Sequence, residues 1–255
     1  MMGEYMISDY FLHNEKICNI YQYDAIDLIK HHKHIGTKVD AIITDPPYNI
    51  SRDNNFTTMG RQGIDFGEWD KGFNQLDWIK ESYDLLKDGG CLFIFNDWKN
   101  LGEIAKYAES LGFIIKDMVR WEKTNPMPRN RDRRYVTDFE VAVWLVKPKG
   151  RWTFNRQSTT YDRCKYVYSI TPRGEKIDKG HINQKPLGLM KEIILRHTNE
   201  ADVVFDPFIG SCTTGVACMD LNRNFIGGDN NEDSYNLSKE RIINFKKVLE
   251  TKNNI

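Results

Sequence analysis

The feature that most constrains the fold of this chain is an alternation. Short apolar runs, each long enough for one strand, recur between segments with helical spacing. Runs rich in Val, Ile, Phe and Trp occupy 17–23, 39–44, 91–95, 114–121, 139–146, 203–205 and 225–226, and turn residues bound many of them. Between them, Leu76, Ile79, Tyr83 and Leu86 fall at helical spacing, as do Tyr235, Ile242, Phe245 and Leu249. Residues 99–110 run up to Gly112, a helix stop. Pro186 stands where a first helical residue would, ahead of Leu187, Met190 and Ile194. Strands alternating with helices predict an α/β fold, a doubly wound and mostly parallel sheet with helices on both faces. The length of 255 residues predicts one domain with insertions, spanning 1–255, rather than two domains.

Two stretches break the alternation. Residues 49–74 are polar and glycine-bearing, with Phe56, Phe66 and Trp69 among them, and are expected to form a mobile loop. Residues 147–183 are basic and turn-rich, and are expected to be an insertion that recognises a target. The formal net charge is zero, which alone argues against a nucleic-acid partner. The charge is segregated, however. Between Lys116 and Lys185 lie 17 of the 36 basic residues and only 8 of the 36 acidic ones. Such a chain can turn one basic face toward a polyanion.

Other classes are disfavoured. No apolar run approaches the ~20 residues of a membrane span, and the first residues lack the pattern of a signal peptide, so a cytoplasmic protein is expected. The five cysteines include no C-x-x-C pair, which predicts free thiols. His31, His32 and His34 end a polar helix without a well-spaced carboxylate or cysteine, so no metal site is expected.

Two polar motifs fall at strand ends, where such sheets bind ligands. The first is Asp45-Pro46-Pro47-Tyr48. An exocyclic amino nitrogen of a base gives its lone pair to the ring, so it is a poor nucleophile until two acceptors orient its hydrogens. The Asp45 carboxylate and the Pro46 carbonyl could supply those acceptors. The prolines stiffen the turn and remove competing N–H donors. Tyr48 offers a face on which an extruded base can stack. The second motif runs Asp206-Pro207-Phe208-Ile209-Gly210-Ser211-Cys212-Thr213-Thr214, with Asp229 after the next strand. Small residues there let a ligand approach a helix N-terminus, and Asp229 can accept from both hydroxyls of a ribose. Val216 and Ala217 stand where a phosphate loop needs Lys and Ser/Thr, which disfavours an NTPase.

Together these motifs resemble those of the DNA amino-methyltransferases, in particular the adenine-N6 enzymes of the β-group, in which the catalytic motif precedes the cofactor motif. Asp45-Pro46-Pro47-Tyr48 matches that group's catalytic signature. Residues 206–214 match its cofactor motif D-P-F-x-G-S-G-T-T except at Cys212, where a side chain is expected to crowd the cofactor or resist a glycine-type backbone angle. Tyr23-Asp24-Ala25 resembles the G-D motif, whose aspartate contacts the adenine of the cofactor. Asn183-Gln184-Lys185-Pro186 resembles T-Q-K-P, which helps enclose the methionine end. The resemblance covers 17–245, nearly the whole chain. It implies a circularly permuted Rossmann-like methyltransferase fold and S-adenosylmethionine as cofactor, held by Asp24, Ala25, Asp45, Lys185, Asp206, Pro207, Phe208, Gly210, Ser211, Cys212, Thr213 and Asp229. It also implies double-stranded DNA as substrate and, by analogy with the group, a homodimer and a cognate restriction endonuclease.

Arg129, Arg131, Arg133, Arg134, Arg151 and Arg156 are the candidate DNA contacts, since arginine reads guanine edges and phosphates. Related enzymes acting on cytosine-N4 usually carry Ser at the first catalytic position, and those acting on protein glutamine carry Asn, so Asp45 speaks for adenine. The reading from a different class is a nucleic-acid-binding protein without activity, disabled at Cys212.

Overall fold

The computed structural model describes residues 6–50, 72–128, 131–133, 135–172, 174–177 and 184–253. Among them, one nine-stranded sheet is built from β1 (Ile7–His13), β2 (Lys16–Gln22), β3 (Val39–Thr44), β4 (Leu86–Asn96), β5 (Ile114–Lys123), β6 (Phe139–Val146), β7 (Lys165–Tyr168), β8 (Val203–Asp206) and β9 (Asn224–Asp229). The strand order is β1-β2-β9-β8-β3-β4-β6-β5-β7. The central strands β2, β9, β8, β3 and β4 are mutually parallel, whereas β1 and β6 run antiparallel to their neighbours.

Among the described residues, six helices cover the sheet: α1 (Ala25–His34), α2 (Asp77–Leu85), α3 (Trp98–Ser110), α4 (Leu187–His197), α5 (Thr213–Asp220) and α6 (Glu232–Asn253). The strands alternate their side chains between two cores. On β4, Cys91, Phe93 and Phe95 join one core with α4, α5 and α6, and Leu92 and Ile94 join the other with α1, α2 and α3. A sheet buried on both faces explains why these segments are almost continuously apolar.

Chain direction positions the site. From β3 the chain crosses to β4 on one side, and from β8 it crosses to β9 on the other. The strand order therefore reverses between β3 and β8, which opens a crevice beyond their carboxyl ends. Asp45 follows β3, and Asp206 ends β8.

The predicted strands and helices are present, with shifted ends. The α2 helix stops at Leu85 because Leu86 already pairs with Val39 of β3. Pro186 is the N-cap of α4, and Leu187 is its first residue. Two strands were not expected from the sequence. The β1–β2 hairpin turns on Asn14 and Glu15, both with positive φ, rather than on the Asn-Gly pair that marks such turns. The four-residue β7 lies at the far edge of the sheet.

Candidate active site

Beyond the ends of β3 and β4, the 45–48 turn is fixed by amides from neighbouring elements. Gln75 Nε2 donates to the Pro47 carbonyl at 2.6 Å, and Asn100 Nδ2 donates to the Tyr48 carbonyl at 2.7 Å. Asn96, the last residue of β4, ties the two together by donating to Gln75 and accepting from Asn100. Gln75 and Asn100 thus each spend a donor on a backbone carbonyl of a proline-rich turn that has few N–H groups of its own.

The side chains of the turn meet Lys185. The Lys185 ammonium pairs with Asp45 Oδ2, and the Tyr48 hydroxyl donates to Asp45 Oδ1. Lys185 also lies 3.1 Å from Glu140 Oε2 on β6, and Glu140 pairs with Lys123 at the end of β5 at 2.7 Å. Two acids and two bases thus alternate from Asp45 to Lys123. Burial holds Asp45 above the ordinary aspartate value despite the pull of Lys185. Burial also opposes the ionisation of Glu140, but Lys185 and Lys123 outweigh it and bring Glu140 down to about 2. Burial works against the Lys185 ammonium, yet Asp45 and Glu140 raise its pKa above the usual lysine value. An alternating chain of this kind keeps each charge compensated where an isolated one would be costly.

Asp206 is buried and accepts three hydrogen bonds: from the Thr44 hydroxyl (2.6 Å), the Thr214 hydroxyl (2.7 Å) and the Phe208 N–H (3.1 Å). Burial nevertheless raises it to about 6. The Thr44 bond joins the ends of β8 and β3, so residues 45 and 206 share one rim. Pro207 leads into Phe208, whose ring packs edge-on against Phe73 and Trp78.

The 210–213 turn follows. Gly210 has φ +47°, and a Cβ there would meet nothing within 4 Å, so the backbone faces open space. Its N–H donates to Asp229 Oδ2 at 3.0 Å, while Asp229 Oδ1 accepts from Asn231. Cys212 caps α5 with φ +55° and ψ +35°. A left-handed backbone costs a residue with a side chain about 1–2 kcal/mol. The expected conflict with a glycine-type angle is thus present, and the chain absorbs it. The Cys212 thiol is fully buried in the core, where a methyl on Gly215 would come within 2.5 Å of it. Ser211 and Thr213 face each other through their hydroxyls at 3.2 Å. At the neighbouring strand end, the Tyr23 N–H donates to the Asp229 carbonyl, and Asp24 caps α1 by accepting from Ile26 and Asp27. Ala25 opens that helix.

These features fit a nucleoside with a charged amino-acid tail. The α5 N-terminus and the open face of Gly210 could receive it, and Asp229 and Asp24 lie at the adjoining ends of β9 and β2.

The arginines divide. Arg131 and Arg133 lie in the β5–β6 connection, at the same rim as Glu140, and are exposed. Arg129 and Arg134 lie outside the described residues, as do Asn183 and the 51–71 part of the expected loop. Arg151 and Arg156 do not join the site. Antiparallel β6 carries the chain to the amino ends of the parallel strands, where the Arg151 backbone packs on Gly89. Asn155, beside Arg156, bonds the last turn of α4. Both arginines are therefore at the rim opposite Asp45. His32 is buried, bonded to Thr37 Oγ1 at 3.1 Å, and burial lowers it to about 4.

Sequence reasoning missed Glu140, Lys123, Gln75, Asn96 and Asn100. Asn96 had a signal, a polar residue ending an apolar strand. Glu140 and Lys123 had none, because their partner Lys185 is supplied by a different part of the chain.

A doubly wound sheet with an acidic proline turn and a nucleoside-type turn at one switch point defines a group-transfer enzyme acting on a polar nitrogen. The family model described as DNA methylase matches residues 39–240. The type II methyltransferase M2.MboI of Moraxella bovis is 34% identical over 95% of this chain and 94% of its own length. M2.DpnII of Streptococcus pneumoniae, also named a type II methyltransferase, is 33% identical over 80% of this chain and 82% of its own. Among solved structures, the M1.HpyAVI–SAM complex superposes with a TM-score of 0.72 at 38% identity, covering 87% of this chain and 97% of that one. The chain belongs to the DNA methylase family.

Proposed function

We propose that this protein transfers a methyl group from S-adenosylmethionine to the N6 amino group of adenine in double-stranded DNA. The observation that carries this reading is the junction of the two motifs. The Thr44–Asp206 bond sets Asp45 beside the nucleoside-type turn at the rim where β3 and β8 part. The family and the cofactor-bound relative support the same reading.

The cofactor supplies an electrophilic methyl on a sulfonium. One oxygen of Asp45 accepts from Tyr48 and the other from Lys185, and a carboxylate oxygen has two lone pairs, so acceptor capacity is left for one amino hydrogen. The Pro46 carbonyl takes the other. The nitrogen lone pair is then turned out of the ring, and positioning supplies most of the rate enhancement. The nitrogen so held would take the methyl that the bound cofactor would donate, the sulfonium leaving as a neutral thioether. Asp45 accepts the proton the nitrogen releases and passes it to water. Tyr48 stacks on the extruded base. Asp24, Gly210, Thr213 and Asp229 hold the cofactor, while Asp206 shapes the turn by joining β8 to β3.

Arg131 and Arg133, exposed in the β5–β6 connection, contact DNA beside the site. On the names of its relatives, we read the protein as the modification member of a restriction–modification pair, acting in the cytoplasm where its DNA is. Among the described residues no helix is long and apolar enough to cross a membrane. The expected assembly is a homodimer, about twice 29.9 kDa by sedimentation.

The test is to incubate the protein and cofactor with unmethylated plasmid and map modified bases by sequencing. Methylated adenines at one short sequence are expected. Asp45→Ala should lower transfer by at least ~10³-fold while S-adenosylmethionine still binds. Methylation of cytosine, or full activity of that variant, would refute the reading.

A further inference from the structure

The 210–213 turn places a residue with a side chain in a backbone region that favours glycine. We propose that Arg241 is the positioning residue that holds this turn in its cofactor-binding shape, in place of the freedom a glycine would give. This rests on the reading that the turn seats the cofactor.

Arg241 reaches from α6 across to both neighbours of Cys212. Its Nη1 lies 2.6 Å from the Ser211 carbonyl oxygen, 2.8 Å from Thr213 Oγ1 and 3.3 Å from Ser211 Oγ. One turn earlier on the same face of α6, the Ser238 hydroxyl donates to the Gly210 carbonyl at 3.0 Å. Two side chains three residues apart therefore hold residues 210, 211 and 213, the three that flank the left-handed position. The Ser211 carbonyl is the acceptor that matters most. It belongs to the peptide between Ser211 and Cys212, so its direction is coupled to the backbone angles of Cys212. Relaxing Cys212 toward an ordinary φ would swing that carbonyl away from the guanidinium. The helix is itself tied down, because Tyr235 bonds Asp9 of β1 at 2.5 Å. A guanidinium suits this task because its planar nitrogens are fixed relative to one another, unlike a lysine ammonium on its flexible stem. Glu175, which accepts from the Leu187 N–H at 3.0 Å, lies within electrostatic reach of Arg241 and links the clamp to the start of α4.

The proposal predicts coupling between residues 241 and 212. With cysteine at 212, loss of the clamp lets the turn relax into a shape that no longer fits the cofactor. With glycine at 212, the left-handed angle needs no clamp. The experiment measures S-adenosylmethionine dissociation constants by titration calorimetry on the full-length wild type, Arg241→Ala, Cys212→Gly and the double variant. Methyl transfer is measured alongside. Arg241→Ala is expected to weaken binding on the order of 10-fold or more in the cysteine background and less than about 3-fold in the glycine background. It should raise KM for the cofactor with kcat at saturation within a few-fold. Equal weakening in both backgrounds would mean that Arg241 touches the ligand itself, and would overturn the proposal, as would no weakening at all. If Arg241→Ala does not fold, Arg241→Lys enters the same cycle, with the same coupling expected and the same overturning results. Asp229→Asn separates the two failures. If neither it nor Arg241→Ala changes the dissociation constant, the cofactor is not seated at this turn. If Asp229→Asn weakens binding and Arg241→Ala does not, only the clamp fails.

Discussion

Lys185 shows how one residue acquires a role its local sequence does not announce. Its motif suggested contact with the methionine end of the cofactor. In the fold, its ammonium pairs with the Asp45 carboxylate and approaches Glu140. In the proposed transfer Asp45 works only when ionised. Burial raises its pKa and the Glu140 charge adds to that, while Lys185, helped by the Tyr48 hydroxyl, opposes them. Lys185→Met should therefore move the acid limb of the kcat/KM profile to higher pH. The sign follows directly: removing the cation makes the carboxylate harder to ionise, and activity then appears only at higher pH. Activity at neutral pH should fall roughly tenfold or more. An unshifted acid limb would show that Lys185 does not tune Asp45.

Between elements, the Asp206 carboxylate joins β8 to β3 and to the start of α5 through hydroxyl donors from Thr44 and Thr214. Its folded pKa of about 6 lies above the free value of 3.8. Protonation therefore favours the fold: the contribution is fully present below 3.8 and is lost as pH rises through about 6. Thr44→Val removes one donor from the ionised carboxylate. It should cost about 1–3 kcal/mol at neutral pH, read as a lower Tm. The loss should shrink below pH 6, where Asp206 takes its own proton and depends less on donors. A pH-independent loss would assign the effect to packing alone. The hairpin of β1 and β2 belongs to this scale as well. Its turn uses Asn14 and Glu15 with positive φ, a choice stabilised by pairing with the sheet and not announced by the residues themselves.

Across the whole molecule, segregation of charge has a direction. The connection between β5 and β6 brings Arg131 and Arg133 to the rim that holds Asp45, while Arg151 and Arg156 are carried to the opposite rim. If each of the first pair meets a phosphate, Arg131→Ala and Arg133→Ala should each lower the salt slope of DNA binding by about 1. Arg151→Ala should leave the slope unchanged. Titration of a fluorescent duplex at several salt concentrations measures both, and a lower slope for Arg151→Ala alone would reverse the assignment.

The sequence by itself determined the α/β class, the buried strands and the two motifs at strand ends. Each depends on residues close together in the chain: apolar periodicity, proline stiffness and small residues before a helix. The tertiary structure alone decided which distant groups meet. Lys185 reaches Asp45 from 140 positions away, and Arg241 reaches Ser211 from 30 positions away. It also decided that antiparallel β6 would split one basic stretch between two rims, and that Cys212 could turn its thiol into the core while its backbone took a left-handed form. Those outcomes follow from strand order and packing, in which each contact depends on where the rest of the chain has gone.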